Sequence, residues 1–119
     1  MAKIETAAMT DGGLTKMGTC TTMTICAGQP TSYLDIAVSA LASVTIASGD
    51  FTLAAGDVSG RKSTVSAKSG LAITTSGTAD HAAIDDGTNY IVTTCTSQAL
   101  TSGGTVSTPA WKKEIAAPV

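Results

Sequence analysis

The stretch "GTADHAAIDDGTNYIVTTC", residues 77–95, decides how the chain folds, because two strand-like runs flank the turn formers "DDGTN". In the first run Ala82 and Ile84 point one way and His81, Ala83 and Asp85 the other, the period of two that a strand imposes. The second run, "YIVTTC", is built from aromatic, β-branched and small residues that favour a pleated backbone. Between the runs, Asp85 and Asp86 tolerate left-handed backbone and Gly87 supplies positive φ without steric conflict. The segment reads as strand, turn and strand, closing an antiparallel hairpin.

Working outward, "CTTMTICA" (20–27) alternates Met23 and Ile25 against Thr22, Thr24 and Cys26 and reads as another strand. The stretch "TSYLDIAVSALASVTIASGD" (31–50) carries two readings. Tyr33, Leu34, Ile36, Val38 and Leu41 form a helical stripe behind a Thr31 or Ser32 cap, whereas "LASVTIA" alternates like a strand. Turn formers then recur near residues 49, 57–61, 70, 77, 87 and 103, each breaking a short run that contains Val, Ile or Thr. Short strands with turns at this spacing are the pattern of a sandwich or barrel, since βαβ units need helices of about ten residues between strands. The expectation is an all-β fold: one antiparallel β-sandwich or jelly-roll-like barrel over residues 19–119, preceded by an extended, flexible N-terminal arm over 1–18. Pro109 marks an edge or first-residue position for the last strand, in which Trp111 and Ile115 share one face and Lys112 and Glu114 the other.

Composition limits the function. A formal charge of −2 and a pI of about 5.0 provide no basic stripe for phosphates, so nucleic acid and anionic membranes are poor partners. Thr, Ala, Ser and Gly make up more than half of the residues, and Leu, Ile, Val and Phe together number only 22 of 119. With so small a net charge this is a thin-cored, ordered domain rather than a disordered one, and it gains by burying a face against copies or partners. "MAKIETAAMTDGG" has no apolar run of signal-peptide length, and no stretch approaches the ~20 apolar residues of a membrane span, which points to synthesis in a host cytoplasm.

No constellation for catalysis emerges. A zinc site needs three or four converging ligands, but there is one histidine, His81, and Cys20, Cys26 and Cys95 form no C-x-x-C pair. Nucleophile elbow, P-loop, dinucleotide fingerprint, H-E-x-x-H and calcium-loop spacings are all missing from the sequence. The reading is a protein that is not an enzyme, with no cofactor and no metal. Candidate interface residues are Lys3 and Ile4 in the arm, Arg61 and Lys62 in a basic turn with Lys68, His81 on an outward strand face, and Trp111. Trp111 reads either as a binding anchor or as a plug for an open end of the core.

The order of "TICAGQPTSY", "ALASVTI", "GDFTLAAGDVSGRKSTVSAKSG" and "GTADHAAIDDGTNYIVTTCTSQALTSGGTVSTPAWKKEIAAP" resembles a group of small structural proteins encoded among the head and tail genes of tailed bacteriophages. The resemblance spans about residues 19–118. It rests on Gly56 to Lys62, Gly77 to Asp85, Thr101 to Thr105, Trp111, and Ile115 to Pro118. It implies a β-rich virion component and carries over no catalytic residue. Within that class, small size, low pI and a possible arm favour a capsid decoration, or cement, protein. Such a protein binds the major capsid protein of the outer head lattice as a homo-oligomer, a trimer being favoured, through multivalent contacts. A tail, neck or head-fibre component is the alternative within the class. A carbohydrate-binding or host-adhesion module is the alternative outside it, disfavoured by the scarcity of aromatics.

Overall fold

The computed structural model describes residues 7–57 and 60–115. These form α1 (Ala7–Met17), β1 (Thr22–Cys26), α2 (Tyr33–Ser39), β2 (Ala40–Thr45), a 3₁₀ turn (Ser48–Asp50), β3 (Phe51–Ala55), β4 (Arg61–Val65), β5 (Lys68–Ala72), β6 (Gly77–Asp85), β7 (Tyr90–Leu100), β8 (Thr105–Thr108) and β9 (Trp111–Ile115). Every strand pairing is antiparallel, so the chain is predominantly antiparallel β. The strands form three sheets with orders β2-β1-β6-β7, β3-β4-β9 and β5-β8. They also fall into two compact units: the larger holds Cys20–Ile46 and Lys68–Thr108, the smaller the described parts of 1–19, 47–67 and 109–119.

In the larger unit the hairpin of β6 and β7 forms as its residues dictate. Gly87 has φ of 98°. Asp85 Oδ1 accepts from Gly87 N at 3.1 Å, and Asp86 Oδ1 accepts from Thr88 N at 2.9 Å and Asn89 N at 2.7 Å. These carboxylates satisfy the turn's backbone donors, which is why aspartate favours such a corner. β1 lies between β2 and β6, and Met23 sits opposite Ile84; both are fully buried.

Both faces of the β1–β6 pair are covered. On one, Ile25, Ala42, Ala79 and Ala82 pack with Leu41, Leu71, Ile73 and Leu100, and with half-buried Val44 and Val106. On the other, Ile36 of α2 packs on Cys26, Ala83 and Val92. Residues 73–75 also cover one end of the outer edge of β2: Ile73 bridges Ala42, and Thr74 N donates to Leu41 O at 2.9 Å.

The two readings of residues 31–50 are both realised in turn. Ser32 caps α2 by accepting from Asp35 N at 3.2 Å, the Asp35 carboxylate accepts from Thr31 N at 3.0 Å, and the chain then passes directly into β2. A seven-residue helix is too short to hold by itself in water, so the burial of Ile36 is what keeps it folded.

In the smaller unit β4 is central, and α1 lies against β4 and β9. The expectation of an extended arm does not describe residues 7–17, which are helical, with Leu14 and Met17 buried. Two interior glycines weaken a helix, and packing offsets that weakness here. A Cβ at Gly13 would meet Ile115 Cδ1 at 3.3 Å, so the small residue permits the close approach of α1 to β9. Alternation along β9 follows the sequence expectation: Trp111 pairs with Val65, and Lys112 with Thr64. The turn expected at Gly70 is instead an irregularity inside β5, where φ of 71° accompanies a register shift between Lys68 and Leu71.

Burial separates positions that resemble one another in sequence. Ile84→Ala removes a fully buried side chain and is expected to destabilise by about 2–5 kcal/mol in urea unfolding. Leu34→Ala and Val38→Ala, at 77% and 82% exposure, are expected to shift stability by less than about 0.5 kcal/mol. Equal losses at all three positions would contradict this placement of the core.

Candidate functional site

The one histidine lies at a break in the β6–β7 ladder. Ala79 pairs with Gln98 and His81 with Thr94, so Cys95, Thr96 and Ser97 stand opposite Asp80 alone. This bulge turns the Asp80 carboxylate towards the loop after β1. Asp80 Oδ1 accepts from Gly28 N at 2.7 Å and from His81 Nδ1 at 2.8 Å. Gly28, at φ of 82°, is in the left-handed region that glycine adopts without strain. The two hydrogen bonds favour the ionised carboxylate, His81 first, and hold Asp80 below the usual carboxylate range.

Cys26 pairs with His81 across β1 and β6. Its thiol is buried, and burial first, then the charges of Asp35 and Asp80 and the neighbouring Cys95, push it up to about 11. Cys95 is exposed and is also raised, by partial burial and by Asp80. Asp80 therefore opposes thiolate formation at both cysteines, the reverse of the electropositive setting that activates a nucleophile. No group of three or more His, Cys, Asp and Glu among the described residues is arranged to hold a metal ion. His81, expected on a half-exposed face, has a side chain 17% accessible, with Nδ1 engaged by Asp80.

Arg61, Lys62 and Trp111 all lie in the smaller unit on the adjacent strands β4 and β9, but at opposite ends of the ladder: Arg61 pairs with Ile115 and Lys62 with Glu114, whereas Trp111 pairs with Val65. Lys62 Nζ lies 2.6 Å from Asp57, whose carboxylate also engages Lys112. One carboxylate is thus shared by two lysines, one from β4 and one from β9, and an exposed pair of this kind contributes at most about 1 kcal/mol. Trp111 is half-buried, and its indole N–H is enclosed without a hydrogen-bond partner among the described residues. Lys68 and His81 belong to the larger unit. Lys3 and Ile4 lie outside the described residues.

Among the described residues, the most exposed large apolar side chains are not among the candidates singled out by sequence. On α2, Leu34 and Val38 stand one turn apart, at 77% and 82% exposure, while Ile36 between them is buried. Positions two apart on a helix lie about 200° apart, so a helix that buries Ile36 turns Leu34 and Val38 to the far side. Tyr33 and Tyr90 are also exposed, and Tyr90 Oη donates to Thr31 O at 3.5 Å beside the helix cap. The i, i+4 spacing was the available signal. Grouping Leu34, Ile36 and Val38 into one stripe concealed it.

No known protein family, curated protein or solved structure matches the chain. Among the described residues no helix is long and apolar enough to cross a membrane.

Two measurements check this chemistry. A thiol reagent at neutral pH is expected to modify exposed Cys95 in the folded protein, more slowly than a free thiol because its thiolate is disfavoured, and to reach Cys20 and Cys26 only after unfolding; reaction of Cys26 ahead of Cys95 would contradict its burial. Asp80, with its folded value depressed, contributes stability that is present above the unfolded carboxylate value of ~3.9 and is lost as pH falls through the lower folded value. Asp80→Asn is therefore expected to be less stable than the parent near neutrality, and the gap to close in strong acid. A gap that does not change with pH would show that the carboxylate charge is not what binds Gly28 and His81.

Proposed function

We propose that the chain is a structural protein of a tailed-bacteriophage virion, a capsid decoration protein that binds the major capsid protein on the outer head lattice and stabilises the shell. The reading carries with it a single antiparallel sandwich or jelly-roll-like framework. The observation that supports it most is the exposure of Leu34 and Val38 on α2, in a chain with few large apolar side chains. Isolated exposed apolar residues are ordinary, but two on one helix face beside exposed Tyr33 form a small patch that a partner can cover. Absence of a catalytic constellation in the sequence, an acidic composition and the resemblance to phage structural proteins fit the same reading. The protomer acts by multivalency: each contact is modest, and copies held on one lattice make the sum durable.

Purified protein mixed with empty expanded heads is expected to bind at a fixed ratio to capsid subunits and to raise the temperature at which heads rupture. Leu34→Ser with Val38→Ser should weaken binding by at least about tenfold, given ~1.5–3 kcal/mol for each large apolar side chain buried. Protein that ignores heads, or that labels a single vertex or the tail in electron microscopy, would refute the decoration role and favour a neck, tail or fibre component.

A further inference from the structure

The four-stranded sheet has two edges, and they are treated differently. The β2 edge is met at Leu41 and Ala42 by residues 73–75. The other is β7, and among the described residues no strand pairs with its outer side. Open edges are normally blunted by lysine, proline or a bulge. β9, an edge of another sheet, carries Lys112 and Lys113, and β5 carries Lys68 and an internal register shift. β3 is uncharged, but its second half is Leu-Ala-Ala, a poor strand former. Over Tyr90–Thr94, before the bulge at 95–97, β7 is uncharged and free of proline. All five residues, Tyr-Ile-Val-Thr-Thr, are strong strand formers.

The direction of the backbone groups follows from the ladder. Asp86 N donates to Asn89 O, so the pair 86–89 is hydrogen-bonded, and the Asp85 carbonyl accepts instead from Thr21 N on the β1 side. Alternation along an antiparallel pair then makes 84–91 and 82–93 the bonded pairs with β6. Tyr90, Val92 and Thr94 consequently direct N–H and C=O outward. One of these groups, Thr94 O, accepts a long bond from Thr93 Oγ1 at 3.4 Å and keeps a lone pair.

We propose that this edge is a self-association surface: a second copy adds its own Tyr90–Thr94 antiparallel, about a two-fold axis at Val92, joining two four-stranded sheets into one. In this register Val92 faces Val92 of the copy, and Tyr90 faces Thr94 of the copy. Each pair exchanges two main-chain hydrogen bonds, and Ile91 stands opposite Thr93 of the copy in the intervening pairs. No charge opposes another across the junction. The two-fold arrangement replaces the trimer expected from sequence. The pairing goes beyond the virion reading and does not depend on it.

Sedimentation of the purified full chain over a range of concentrations is expected to show a reversible monomer–dimer equilibrium. Thr94→Lys, on an exposed residue, should weaken it by on the order of tenfold or more while leaving circular dichroism unchanged. In a Cys95→Ser background, Val92→Cys should form an interchain disulfide under mild oxidation, because the paired Cα atoms would lie ~5.5 Å apart. Ser97→Cys in that background, and Cys95 in the parent, should not. A strictly monomeric or trimeric chain, a dimer indifferent to Thr94→Lys, or crosslinking at 97 or 95 instead of 92 would overturn the proposal. Monomeric protein that still decorates heads would sink the pairing alone, and a dimer that ignores heads would sink the decoration role alone.

Discussion

Burial of β1 and β6 on both faces is the constraint on which the larger unit depends. A strand pair with one wet face tolerates polar residues on alternate positions, but here Ile25 and Ala82 enter one apolar layer while Cys26 and Ala83 enter another. A slip of one residue would exchange the two layers, placing Cys26 where Ile25 fits and Ala83 where Ala82 fits. Register is therefore set by two packing surfaces at once. The alanines of β6 matter as much as its isoleucine, because they leave room for Leu41 and Leu71 on one side and Ile36 on the other.

The same constraint explains the local chemistry. A strand held rigidly over Ala82–Asp85 meets a partner strand with two additional residues, and the mismatch is expelled at the bulge opposite Asp80. There the backbone can present a carboxylate sideways to Gly28 and His81. The resulting negative charge, with the burial of Cys26, keeps both nearby thiols protonated. Thus Asp80 and His81, the pair that looks most like chemistry in the sequence, act as a tie between β6 and the loop after β1.

Local signals made much of this legible. The turn at 85–89 follows from Asp and Gly chemistry, β1 from alternation, and the start of α2 from Ser32 and Asp35. What escaped depends on distant contacts. Residues 7–17 have weak helical character, and they are helical where α1 lies against β4 and β9, strands more than forty residues further along the chain. Assembly of the smaller unit from three separated segments leaves no periodicity to read. Gly70 carries the same signal whether it makes a turn or a bulge, since both require positive φ. On α2, only knowing that Ile36 is the buried residue reveals that Leu34 and Val38 point away from the sheet.

Main-chain pairing at an edge gives affinity with little selectivity, whereas an apolar helix face gives selectivity through shape. The protein keeps these features on separate elements, β7 and α2, and the geometry of antiparallel pairing links them. A two-fold axis relating neighbouring antiparallel strands stands perpendicular to their sheet, so both copies keep the same face uppermost. α2 covers one face of that sheet, through Ile36 on Cys26, Ala83 and Val92. Under the proposed pairing the two α2 helices would lie on the same side, their Leu34 and Val38 directed alike, with helix axes about three strand spacings, ~14 Å, apart. Helices at that distance do not pack on each other, since contact needs ~8–10 Å. Their apolar faces would remain available, paired and parallel, for a flat repeating surface. Two weak contacts at fixed spacing suit a lattice better than a single monovalent partner, because a lattice offers the second site at high effective concentration. In this arrangement the edge contributes the spacing and the helix the contact.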